Sequence, residues 1–133
     1  IATIDAFQHW IYANPNHDFA ARETAWLKIM DRFEPDIDYS GLEDTRANRW
    51  TGQSHLFSHA FYYIEYGIAQ IAALQVWQSY RRNPSDTIKA YRHGLSLGGS
   101  RALPELFAAA GVKFDVSTSM LGALVEDIEN VIG

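Results

Sequence analysis

Apolar residues recur at intervals of three and four along almost the whole chain, and nowhere does the alternation of a half-buried strand persist. The pattern predicts a helix over residues 2–13 that stops at "NPN", and a second over 17–33. In the second, Phe19, Trp26, Ile29, Met30 and Phe33 take one side, and Arg22, Glu23, Lys28 and Asp31 take the other. "EPDIDYSG" reads as a loop, punctuated by Pro35 and Gly41. A more polar helix is expected over 42–54 and a long apolar one over 59–82. "NPSD" ends that helix and starts another over 85–97, with Ser85 as its N-cap and Gly98-Gly99 as its stop. "SRALPELFAAAG" predicts a short helix with Pro104 in its first turn and Gly111 past its end. A last helix starts at Ser117, with Leu121, Leu124, Val125, Ile128 and Ile132 as its apolar stripe. The sum is six or seven helices in a bundle-like array, an all-α fold in one domain with no repeat and no long linker.

Composition narrows the functional classes. The chain has 133 residues, 47% of them apolar, with four Trp, seven Tyr and seven Phe as large core side chains. A net charge of −5 disfavours a nucleic-acid backbone as partner. There is no Cys, hence no disulfide framework and no thiol nucleophile, which fits a reducing, cytoplasmic setting. The most apolar run, 60–77, is interrupted by Glu65, Gln70 and Gln75, and reads as a helix buried in protein rather than a membrane span. The opening "IATIDAFQHW" reads as the middle of a helix, so a fragment of a larger protein is expected.

The chemistry concentrates in "HLFSHAFYYIEYGIAQ", residues 55–70. Two histidines four apart suggest a zinc site, because they share a helix face. Yet a zinc-peptidase HExxH motif places its general base directly after the first histidine, and here that position is Leu56. A structural zinc needs four ligands, and no Cys can supply them. Glu65 lies six residues past His59, about 240° around a helix, and would point away from the pair. The tyrosines offer a different chemistry. On a continuous helix His55, Tyr62 and Tyr66 would line one face, with Tyr63 beside them. Phenol and imidazole groups aimed into a cleft can hold a substrate carbonyl or stabilise an oxyanion. The competing structural reading is aromatic packing with the hydroxyls at the surface.

The segments "DAFQHWIY", "HLFSHAFYYIEYGIAQIAALQVW" and "LSLGGSRALPELFAAAGVKFD" resemble the C-terminal part of oligoendopeptidase F, a branch of the thimet-oligopeptidase-like zinc metallopeptidases. The resemblance runs from about residue 2 to residue 132. It implies the C-terminal helical portion, residues 1–133, of an all-helical enzyme that hydrolyses oligopeptides in a deep channel. It places HExxH and the third zinc ligand, a glutamate, upstream of the region that this chain matches. The chain alone is then expected to bind no zinc and to be inactive. The resemblance also implies that His55 and Tyr66, then Tyr62 and Tyr63, face the metal across the cleft, bind the substrate backbone and donate to the oxyanion. Two positions depart from the family pattern: His59 stands where relatives usually lack histidine, and Ala60 where many have Pro. The expected partner is an oligopeptide, with no nucleic acid and no membrane. Self-association is expected through apolar surface left exposed where the rest of the enzyme would pack.

Other features carry plainer readings. "LGGS" at 97–100 lacks the G-x-x-x-x-G-K-[ST] of a phosphate loop and reads as a helix C-cap. Gly67 sits inside a helix, which close packing or an approaching substrate would explain. Arg81 and Arg82 read as a solvated helix end, and His9, His17 and His93 suggest no role. A rival to the peptidase reading is a stand-alone, non-catalytic helical domain that binds a peptide or a second chain.

Overall fold

The computed structural model describes all 133 residues and contains only helices and connecting segments. In order they are α1 (Ala2–Ala13), α2 (Phe19–Phe33), α3 (Glu43–Asn48), a 3-10 turn (Arg49–Gly52), α4 (His55–Ser58), α5 (Ile64–Arg82), α6 (Pro84–Ser96), α7 (Leu103–Ala109) and α8 (Thr118–Ile132). The all-α expectation holds. The helix count rises because the segment between Pro35 and Ile64 breaks into short pieces. No helix is long and apolar enough to cross a membrane.

The helix ends follow local chemistry. Asp18 caps α2 by accepting from the Ala21 N–H, and Ser117 caps α8 by accepting from the Met120 N–H. The cap of α6 is Asn83, which accepts from the Asp86 N–H, not Ser85 as the sequence suggested. Asn83 can serve because Pro84 then occupies the first helical position, where its missing N–H costs nothing. Gly111 ends α7 in the left-handed conformation, at φ +79°.

Two compact units divide the chain within α5, Ile1–Gly67 and Ile68–Gly133. The first is built on Ile4, Phe7, Trp26, Met30 and Trp50. Phe7 meets Trp26 edge-on at 5.0 Å between ring centres and Trp50 at 5.7 Å. The Trp26 indole N–H donates to the Arg46 carbonyl at 2.8 Å, so a buried donor is satisfied while α2 is fixed to α3. Leu56 and Tyr63 pack against this core from the outside.

The second unit contains the rest of α5 with α6, α7 and α8. Gly94 of α6 lies against Ala110, where a Cβ would sit 2.7 Å from the alanine Cβ. Gln75 of α5 donates to the Lys113 carbonyl at 3.0 Å and accepts from the Lys113 N–H at 2.9 Å. One side chain thereby satisfies both backbone groups of a residue that belongs to no helix. A cavity of about 590 Å³ opens beside Ala72, Val76, Leu95, Leu106 and Phe107. Of the apolar stripe on α8, Leu124 is buried, whereas Leu121, Val125 and Ile132 are exposed.

Candidate functional site

His55 opens α4, a helix that ends after one turn at Ser58. The helix is therefore not continuous from His55 to Tyr66, and the expected start of the long helix at residue 59 moves: residues 59–63 form a turn, and α5 begins only at Ile64. Phe61 makes the reversal in the left-handed region at φ +58°, the one non-glycine residue with positive φ. Its N–H donates to the Gln8 Oε1 at 2.7 Å, and the rest of Gln8 is buried at 1% exposure. The Phe61 ring rests between His9 and Tyr12, at 4.9 and 4.8 Å between ring centres. Nothing local in "SHAFYY" announces this break, because its main support lies 53 residues earlier in the chain.

The turn nevertheless gathers the four residues that the sequence singled out. The His55 ring lies parallel to Tyr62 at 6.0 Å, and edge-on to Tyr63 at 5.1 Å and to Tyr66 at 5.6 Å. Tyr66 meets Tyr62 at 5.7 Å and Tyr63 at 5.3 Å, both edge-on. His55 Nε2 and the Tyr66 hydroxyl are hydrogen-bonded at 3.1 Å. Tyr62 and Tyr66 are exposed, Tyr63 is half-buried against the core, and His55 is half-buried. The arrangement is a floor of packed rings with two phenol groups at the surface. Gln8 is the member that sequence reading missed. Its one available signal was a polar residue between Phe7 and the aromatic positions of α1, which alone does not mark a loop clamp.

These side chains do not fit a zinc ion. No three His, Asp or Glu side chains converge closely enough to hold a metal. The rings of His55 and His59 are 6.1 Å apart between centres. His55 Nε2 is engaged by Tyr66, and His59 Nδ1 by the Ser58 hydroxyl at 2.8 Å. The remaining histidines serve local structure or the surface. His17 joins the Asn14 carbonyl to Arg22 Nε, which lies 2.8 Å from its Nε2.

Fold and cluster together define an all-helical protein that carries two exposed phenol groups on a floor of packed aromatic rings. Residues 1–126 match Peptidase family M3, and the chain belongs to that family. Searches of curated proteins and of solved structures found no match. Membership makes the chain part of a metallopeptidase lineage whose members are zinc enzymes.

Proposed function

We propose that residues 1–133 supply the substrate-facing wall of an oligoendopeptidase F-like metallopeptidase, with the metal held by polypeptide outside these residues. The observation that carries this reading is the His55–Tyr66 hydrogen bond, set among surface phenols in a chain of Peptidase family M3. A ring nitrogen that donates to a phenol oxygen leaves the phenol proton free to point outward. With Nε2 protonated, His55 orients the Tyr66 hydroxyl so that it can donate to a peptide carbonyl oxygen. As the carbonyl carbon becomes tetrahedral, that oxygen gains charge and the hydrogen bond strengthens. In this reading Tyr62, exposed like Tyr66, holds the neighbouring substrate backbone, and Tyr63, packed on the core and edge-on to His55, buttresses the imidazole. The wall does not itself attack the peptide bond. Its contribution is to bind and orient a short peptide and to stabilise the oxyanion.

The test is Tyr66→Phe in the peptidase that carries this chain. The ring and its edge contacts remain, and one hydroxyl is lost. The expected result is a fall in kcat of about 10²-fold or more, with zinc content unchanged and KM moved less. His55→Ala should also lower turnover, with a larger KM component. Normal kcat/KM in His55→Ala and in the Tyr→Phe variants at 62, 63 and 66 would reduce the cluster to packing.

A further inference from the structure

We infer that Gln8 is a positioning residue for this wall, acting through the Phe61 backbone; the inference rests on the reading of His55 and the tyrosines given above. Three observations converge. Phe61 occupies a conformation that side-chain-bearing residues disfavour, at φ +58°. The Phe61 N–H is held by Gln8 Oε1 at 2.7 Å. Gln8 is 1% exposed, and its Nε2 has no partner although it is buried.

The third observation separates a clamp from ordinary core packing. The amide cannot be turned over to relieve Nε2, because that would set an NH₂ group against the Phe61 N–H. The unpaired donor is thus the cost of keeping an acceptor at this one point. An apolar side chain of similar size would fill the same space without that cost. What the amide adds is control of the turn. Phe61 stands between α4, which carries His55, and α5, which carries Tyr66. A change in its φ re-aims the tyrosines against the imidazole. A net hydrogen bond of ordinary strength biases such a local equilibrium by about fivefold, comparable to the bias that a left-handed non-glycine residue must overcome.

The experiment compares Gln8→Met and Gln8→Glu with the parent. Methionine keeps the length and removes both the acceptor and the unpaired donor. Glutamate keeps an acceptor. In the 133-residue chain, NMR reads Phe61 amide exchange and the proximity of the His55 and Tyr66 rings. In the peptidase that carries the chain, kinetics read kcat and KM. Gln8→Met should leave the helix content intact, accelerate Phe61 exchange and weaken the ring contacts. It should also lower kcat by about five- to tenfold, with less effect on KM. Gln8→Glu should recover most of each effect, which a space-filling role would not predict. Unchanged Phe61 exchange and ring contacts in Gln8→Met would overturn the clamp. Dispersed rings with undiminished turnover would instead overturn the wall reading on which the positioning role depends. Should Gln8→Met fail to fold, the parent alone decides: Phe61 exchange at the rate of an unprotected amide would end the proposal.

Discussion

Gly67 and Gly94 both sit inside helices, yet alanine should act on them in opposite directions. In a helix interior Gly→Ala stabilises by about 0.5–1 kcal/mol through lost backbone freedom in the unfolded chain. Gly67 lies in the first turn of α5 and Gly94 in the last turn of α6, so that gain is at most this at either site, and a difference of opposite sign reports what the new methyl group meets. At Gly67 the nearest atoms are Ile1 Cγ2 at 3.4 Å and Ile64 Cδ1 at 3.8 Å, ordinary contacts with movable side chains. That gain should appear. At Gly94 the methyl would lie 2.7 Å from Ala110 Cβ and 3.0 Å from its Cα and N. Backbone atoms cannot yield unless α6 and α7 separate, and overpacking of this kind costs about 1–3 kcal/mol. Gly94→Ala should therefore destabilise by about 1–2 kcal/mol after the propensity gain. Urea melts followed by circular dichroism compare the two variants directly, and Ala110→Gly in the Gly94→Ala background should recover part of the loss. Equal stabilisation by both alanines would refute the claim that α6 and α7 meet at a glycine-dependent contact.

Glu34 accepts from the Tyr39 hydroxyl at 2.9 Å and from Arg49 at 2.8 Å. Burial pushes its carboxyl up, but the hydrogen bonds from Tyr39 and Arg49 outweigh that and hold it below the usual 4.5. A depressed carboxylate stabilises the fold above its unfolded value, and the benefit is lost as pH falls through the folded value. Because Arg49 is half-exposed, Glu34→Gln should cost only about 0.5–1 kcal/mol at pH 7. Thermal melts should find that cost shrinking below about pH 4.5, and a constant cost down to pH 3 would refute the linkage. Gln75→Leu removes both bonds to Lys113 and should lower the denaturant midpoint by the equivalent of about 1–3 kcal/mol. Gln75→Glu should not recover it, since a carboxylate cannot donate to the Lys113 carbonyl; full recovery would contradict the two-bond account. After dialysis against zinc the chain should retain less than one equivalent, and one tightly held ion per chain would overturn the separation of wall from metal.

The helices with strong local signals were legible in the sequence. Residues 2–13 and the last helix were read to within a residue, because "NPN" and Ser117 act on their own backbone neighbours. The segment between 42 and 63 was not, because its shape is set at a distance. Gln8 reaches Phe61, and Trp26 reaches the carbonyl of Arg46. Neither contact leaves a periodic trace. The cluster shows the same division. His55 and the tyrosines were picked out by chemical type, and they do come together. The geometry assumed for them, one face of one helix, was wrong, because a left-handed residue cannot be inferred at a phenylalanine from its neighbours. Ser85 was chosen as a cap on residue type, whereas Pro84 takes the first helical position and sets the cap two residues earlier, at Asn83.

The Gln75 clasp has a consequence for how opening of the chain can be watched. Lys113 lies in a stretch without helix, and its N–H would ordinarily exchange with solvent by local fraying. Instead it is tied to a residue 38 positions away, with α6 and α7 in between. Its exchange should slow to the rate at which the second unit opens as a body, while flanking loop amides stay fast. The Trp26 indole, bonded to Arg46 across 20 positions, is the counterpart in the first unit. The chain thus carries two built-in gauges, one resonance for each unit, and their exchange rates under mild denaturant report directly whether the two halves melt together or in turn.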